Sequence, residues 1–211
     1  MARNIYGLDL GTYEIKVYDK KQDSTWKEKS AIAIVDGKNI LAVGDEAYAM
    51  FERTPENIQV VFPMKEGVIS RFTDMQYLLQ NLLKKEHRFA RGAEYLISVP
   101  TDITEVEKRA FFDLVVHSTA KAKEVNIIER GVAQCVGIGI DVRKTKGVLI
   151  VDFGAATTEL SIVGSGGMLL NKMLKIGGTT FDVSVMNLIR RKYDFLIGQQ
   201  TAERIRKRFG I

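Results

Sequence analysis

The 211-residue chain has one cysteine, three prolines, one tryptophan and two histidines. The lone Cys135 excludes an internal disulfide and a cysteine-rich zinc site, and makes a reducing, cytoplasmic setting the expectation. Three prolines and the lack of any low-complexity stretch leave no candidate for a long flexible linker. His87 and His117 stand apart from acidic or cysteine neighbours at ligand spacing, so they read as surface or helix residues rather than metal ligands. No apolar run approaches the roughly 20 residues that span a bilayer. The opening MARNIYGLDL passes straight into a strand pattern, which predicts no secretory signal.

What is present is an ordinary globular composition, 45% hydrophobic and 27% charged, long enough for one large or two small domains. The net charge is +5. Much of the excess sits in Arg190-Arg191-Lys192 and in Arg204, Arg206, Lys207 and Arg208. These fall on two expected helices without the aromatic interleaving of a nucleic-acid surface, so they read as solvated faces and no nucleic-acid partner is expected.

Hydrophobic periodicity gives an α/β order. IYGLDL, EIKVYDK, SAIAIVDG and NILAV read as strands, and GDEAYAMFER as a short helix. TDMQYLLQNLLKKEHRF is helical, with Met75, Leu78, Leu79, Leu82 and Leu83 on one stripe. EYLISVP is a strand, and TDITEVEKRAFFDLVVHSTA a helix capped at Thr101 or Thr104. EVNIIE, a small-residue helix RGVAQCVGIGI, and the strands GVLIVDF, TTELSIV and GMLLNKMLKI follow, with GVLIVDF read as a buried apolar strand. TTFDVSVMNLIRRKYD and TAERIRKRF close the chain as helices, the first expected to pack Phe181, Val185, Leu188 and Ile189 on the preceding sheet.

Two hairpins share one design. LDLGTYEIKV (residues 8–17) and VDFGAATTEL (residues 151–160) both read strand, Asp-x-Gly, turn, strand. One Asp-x-Gly alone reads as a plain turn. Two of them, with the glycine pair Gly177-Gly178, favour a cleft in which backbone N–H groups meet a polyphosphate while Asp9 and Asp152 reach Mg²⁺ through water. Ala155 and Ala156 are unexpected in such a tip, because each Cβ limits approach to phosphate and disfavours positive φ.

LDLGT, VDFGAATTEL, KIGGTTFD and TAERIRKRFG, with VGDEAYAMFERTP and FPMKEGVI, resemble in order and over nearly the whole chain the MreB family of bacterial actin homologues, in the superfamily of actin, sugar kinases and DnaK-type chaperones. The resemblance implies an actin-like α/β fold. A ribonuclease-H-like domain I would span 1–140, with a small inserted subdomain at about 30–72, and 141–211 would be the first part of domain II, the remainder absent. It implies ATP and Mg²⁺ as ligands and self-association into filaments under the membrane. It also implies cell-wall synthesis proteins as partners and a part in cell shape.

Carried over residue by residue, the resemblance places Gly11, Thr12, Tyr13 and Glu14 in the first phosphate loop and Gly154, Ala155, Ala156 and Thr157 in the second. Gly177 and Gly178 fall near ribose and phosphates, and Glu203 and Arg206 beside the nucleoside. Thr157 is the remaining catalytic candidate, because the family's water-polarising glutamate is replaced by Arg130, with Gly131 following where the family has proline. Arginine binds phosphate charge but cannot act as a base at neutral pH. Phe89, in HRFARGAEY, is the candidate for peripheral membrane contact. The family continues beyond the last helix, which predicts exposed edges or apolar faces in the second sheet, with self-association to cover them. The expectation is therefore a filament-forming cell-shape protein with weak nucleotide binding and little ATPase activity. An active ATPase with rearranged groups and a non-hydrolysing interaction or assembly-regulating module are the alternatives.

Overall fold

The computed structural model describes residues 4–85, 92–119 and 121–210. The chain opens with a meander of β1 (Ile5–Leu10), β2 (Glu14–Asp19) and β3 (Ser24–Lys29). A small layer follows, made of β4 (Ile32–Val35), β5 (Asn39–Val43), α1 (Gly44–Met50) and β6 (Ile58–Val61). Two short strands, β7 (Met64–Lys65) and β8 (Val68–Ile69), lead into α2 (Phe72–Lys85), β9 (Glu94–Val99), α3 (Glu105–Val116) and β10 (Glu124–Glu129). The remainder is α4 (Arg130–Gly137), β11 (Val148–Phe153), β12 (Thr158–Gly164), β13 (Gly167–Leu174), α5 (Gly178–Tyr193) and α6 (Gln199–Phe209).

The first sheet has the order β10-β9-β1-β2-β3. β1, β9 and β10 run parallel, while β1, β2 and β3 are antiparallel. Its apolar residues Leu8, Leu10, Ile15, Val17, Tyr95, Ile97 and Val99 join the α2 stripe Met75, Leu78, Leu79, Leu82 and Leu83 in one core. The stripe is buried as its spacing predicts. The helix pattern extending beyond Lys85 falls outside the described residues. Of the two candidate caps of α3, Thr104 is the one used: its hydroxyl accepts from the Glu107 amide, and the Glu107 carboxylate accepts from the Thr104 amide.

The second sheet is the antiparallel array β11-β12-β13. α4 joins the two sheets, leaving β10 and packing on β12, and its approach is close: a Cβ on Gly131 would lie 2.6 Å from the Ser161 Cβ. Cys135 is buried there with Val142 and Val163.

Three expectations change. GVLIVDF is not buried on both faces, because β11 lies at a sheet edge and exposes Leu149, Val151 and Phe153, while β13 exposes Leu169 and Leu170. Phe181 and Leu188 do not pack on that sheet. α5 packs chiefly on α6, and with Val185, Ile205 and Phe209 these residues line a shallow apolar groove. Periodicity identifies an apolar face but not the partner of that face. Lastly, β3, β6, β7 and β8 were not legible as strands; β3 alternates through Thr25, Lys27 and Lys29 with little apolar content.

Candidate functional site

The two hairpins close in the same way. The Gly11 amide donates to the Glu14 carbonyl (3.2 Å), and the Gly154 amide donates to the Thr157 carbonyl (2.8 Å). A Cβ at Gly11 would lie 2.6 Å from the first of these carbonyls and one at Gly154 2.8 Å from the second, so the tightness of each turn requires glycine. In both, the aspartate two residues earlier faces the same cavity, of about 240 Å³, which is also lined by Gly11, Thr12, Tyr13, Glu14, Gly154, Ala155 and Thr157. Asp9 and Asp152 thus sit on one cleft, as the sequence predicts.

A larger cavity of about 490 Å³ adjoins it, sharing Thr12, Tyr13, Gly154 and Ala155 and adding Ala156, Gly178, Glu203 and Arg206. Gly177 lies behind the second tip, where a Cβ would be 2.7 Å from the Ala155 carbonyl oxygen. That carbonyl accepts from the amide and hydroxyl of Thr179, and the Gly178 amide donates to the Gly154 carbonyl, so the N-terminus of α5 is laced to the tip. Ala155 and Ala156 are not at positive φ. The tip therefore has a conformation that alanine adopts without strain.

The cross-strand partners of the two aspartates differ in sign. Asp9 faces Lys16, whose Nζ lies 3.1 Å from Asp9 Oδ2. Asp152 faces Glu159, a like charge on the same face of the sheet. Glu159 is 3% exposed; its Oε1 accepts from the Thr101 amide and from Asn171, and its Oε2 points to Arg130 Nη1 at 3.9 Å. Arg130 Nη2 is 3.6 Å from Asp9 Oδ1. The first residue of α4 therefore bridges a carboxylate of each sheet. Its side chain is 12% exposed, and Nε and Nη2 make no hydrogen bond among the described residues. Glu129, one residue earlier, lines neither cavity.

This charge arrangement does not suit Mg²⁺ at Asp9. Both carboxylate oxygens face cations, a half-exposed Lys16 and a largely buried Arg130, and a unit charge such as the latter about 6 Å from a dication repels it by on the order of 5 kcal/mol at an effective dielectric constant near 20. The described residues contain no cluster of three or more His, Cys, Asp or Glu side chains able to hold a metal ion.

The far wall of the larger cavity is a clasp between α1 and α6. Tyr48 donates to Glu203 (3.0 Å), Gln200 donates to the carbonyls of Tyr48 and Phe51, and the Glu52 carboxylate accepts from the amides of Gln199 and Gln200 at the start of α6. A carboxylate at a helix N-terminus is favoured by the helix dipole and the free amides. Burial alone would raise the Glu203 carboxyl, but hydrogen bonds from Lys207, Tyr13 and Tyr48 hold it below its ordinary range. Burial, then hydrogen bonds to Tyr13 and Glu203, push the Tyr48 hydroxyl far above its ordinary value. Tyr13 reaches from the first tip into this network, under Tyr48 and with Lys29 4.2 Å from its ring centre. Arg206 is held bidentate by the buried Asp182 at 2.6 and 3.3 Å.

Every expected site residue except Gly177 and Phe89 thus lines one of two adjoining cavities. Phe89 lies outside the described residues. Missed by the sequence reading were Lys16, whose place opposite Asp9 follows from the tight turn, and Tyr48, Glu52, Asp182, Gln200 and Lys207, for which no local signal exists. Among the described residues no helix is long and apolar enough to cross a membrane.

The MreB/Mbl protein family model matches residues 3–211. The cell shape-determining protein MreB of Escherichia coli K12 is 37% identical over 218 residues, covering 100% of this chain and 62% of its own length. The cell shape-determining protein Mbl of Bacillus subtilis 168 is 34% identical over 209 residues, covering 97% and 62%. Among solved structures, MreB5 of Spiroplasma citri bound to ADP has a TM-score of 0.90 at 32% identity, over 98% of this chain and 62% of its own. A MamK double helical filament shares the fold at 20% identity, with a TM-score of 0.78 over 99% and 65%. The chain spans less than two thirds of the length of these relatives. Ordered motifs, paired glycine-closed hairpins and an actin-like fold agree with the match over residues 3–211: the chain belongs to the MreB/Mbl family.

Proposed function

We propose that this chain is the actin-like part of a filament-forming cell-shape protein, one that holds an adenine nucleotide between its two hairpins and hydrolyses it poorly. The observation that carries the reading is the convergence of two matching hairpins on one cleft; by the family resemblance, Arg130, which lines that cleft, stands where the family has its water-polarising glutamate. In this reading the amides of Thr12, Tyr13, Ala155 and Ala156 meet phosphates, at tips that the Gly11 and Gly154 turns hold closed. Glu14 completes the first phosphate loop, Gly178 lies near ribose and phosphates with Gly177 behind the second tip, and Glu203 and Arg206 stand beside the nucleoside. Thr157 remains to orient water, and Arg130, standing where the family has its glutamate, cannot accept the proton of that water. The MreB5 relatives bound to ADP and to AMPPNP support an adenine nucleotide as the ligand. The Mg²⁺ expected with it meets the disagreement at Asp9 described above, so no step is drawn through a metal.

The apolar faces of β11 and β13 and the filament of the MamK relative support self-association. A domain boundary near residue 140, with an inserted subdomain at about 30–72, is the division that accords with two separate sheets joined by α4. Location in the cytoplasm, peripheral membrane contact through Phe89 and cell-wall synthesis partners belong to the same proposal, and liposome co-sedimentation of Phe89→Ser tests the membrane part: unchanged pelleting removes that residue. The main test is calorimetric titration with ATP, together with phosphate release from the wild type and from Arg130→Glu/Ala155→Gly/Ala156→Gly. Weak binding and faster release from the restored variant are expected. Equal release from both, at a rate well above background, would show a working ATPase and overturn the reading.

A further inference from the structure

The geometry points to Arg130 as the built-in cation of this cleft, so that a nucleoside polyphosphate binds without a divalent metal ion. The inference rests on the nucleotide-binding reading above and concerns how that same site recognises charge.

Three observations carry it. The first is the position of the guanidinium: it lies between Asp9 of the first hairpin and Glu159 of the second, at 3.6 and 3.9 Å, at the meeting point of the two sheets. The second is its unused donor capacity. Both separations exceed a hydrogen bond, and Nε and Nη2 make none among the described residues, although the side chain is 12% exposed. A buried guanidinium left in this state is completed by an acceptor that brings several oxygens within reach, which is what a phosphate chain supplies. The third is the sign of what surrounds it. Asp9 is flanked by Lys16 on the facing strand and by the largely buried Arg130, so a metal ion at its carboxylate would stand beside two cations, while the Asp152–Glu159 pair on the other hairpin has only Arg130 as its counter-ion among the ion pairs of the described residues. A cation fixed by the protein thus stands beside the carboxylate to which a nucleotide-borne metal would otherwise be tethered. The backbone turns at Gly11 and Gly154 face the same 240 Å³ space and offer the remaining donors.

The test is equilibrium binding of ATP to the full 211-residue chain, measured in excess Mg²⁺ and again in excess EDTA. The expected result is an affinity equal within about threefold in the two conditions, and a loss of at least about tenfold in EDTA for Arg130→Gln. Arg130→Lys, which keeps the charge, is expected to retain metal-free binding within about tenfold and serves if Arg130→Gln does not fold. Wild-type binding that falls at least about tenfold on removal of Mg²⁺ overturns the inference while leaving the nucleotide reading intact. Absence of ATP binding in both conditions overturns the two together. Metal-free binding unchanged in a folded Arg130→Gln also overturns it, because the cation would then lie elsewhere.

Discussion

Leu10 and Phe153 hold the same place, one residue before the glycine that closes a hairpin, yet Leu10 is fully buried and Phe153 is 75% exposed. The turns beside them are alike down to the hydrogen bond and the carbonyl that a Cβ would strike. What differs is the surroundings. The first hairpin sits inside a five-stranded sheet with helices and a shared core, whereas the second begins at the edge of a three-stranded sheet. The charges differ as well: a lysine answers Asp9 across the ladder, and a glutamate confronts Asp152. The tips differ in reach, since Tyr13 extends to α6 and Ala156, its counterpart, cannot. A turn can be repeated in a chain without repeating the stability or the chemistry of its neighbourhood.

The most severe way to break the comparison is to make the second hairpin carry the first one's charge. Glu159→Lys removes the buried counter-ion of Arg130 and adds a second cation, and is expected to destabilise the chain by about 3–5 kcal/mol in urea titration. Next, Leu10→Ala is expected to lower stability by about 3 kcal/mol and Phe153→Ala by no more than about 0.5 kcal/mol. Equal losses would mean that Phe153 is covered in solution, by a second copy for instance, which a concentration series would reveal. Gly11→Ala and Gly154→Ala should each lose about 1–3 kcal/mol by the same measurement, because both turns exclude a Cβ whatever their burial.

A smaller effect, about 1 kcal/mol, is expected for Glu203→Gln, which removes the charge that the Tyr48 hydroxyl and Lys207 bind. Because the folded carboxyl titrates below its unfolded range, its contribution is fully present above pH about 4.3 and is lost as pH falls through the folded value. Thermal midpoints of wild type and Glu203→Gln should therefore differ at pH 7 and converge in strong acid; a gap that widens on acidification would reverse the assigned shift. The smallest change belongs to Lys16→Glu, which gives the first hairpin the second one's charge. The Lys16–Asp9 pair is half-exposed, so less than about 1 kcal/mol is expected from this swap.

Much of this was legible in the chain itself. Strand, Asp-x-Gly and strand fixed both hairpins, the α2 stripe fell on the core, and the grouping of the site positions about two adjoining cavities followed from the family resemblance that the motifs carry. The lysine opposite Asp9 could have been read as well, since a turn closed between Gly11 and Glu14 puts residue 16 across from residue 9. What local pattern could not provide was the neighbour of each face. The run VLIVDF is apolar enough to read as buried, and only the sheet order leaves it at an edge. Phe181 and Leu188 form a stripe, and only tertiary packing turns it toward α6. β3 is nearly polar because its buried positions include Glu28, whose carboxylate accepts from the Asp45 amide in α1. Arg130 was read as the loss of a base; its bridge to two carboxylates joins residues about 120 positions away, at Asp9, and about 30 away, at Glu159, a proximity that no spacing rule predicts.

The clasp of α1 on α6 has a consequence in time. Tyr48 and Glu203 are 155 residues apart and Glu52 and Gln199 are 147 apart, so these bonds close the longest loops among the hydrogen bonds described. Such contacts form after the local hairpins and helices on which they depend. Exposed or half-buried, they also belong to the weakly protected end of the molecule, where opening does not require the core to unfold. The amide hydrogens of Gln199 and Gln200 should then exchange with solvent well before those of β1 and β9. Each such opening loosens the far wall of the larger cavity while the first sheet stays closed.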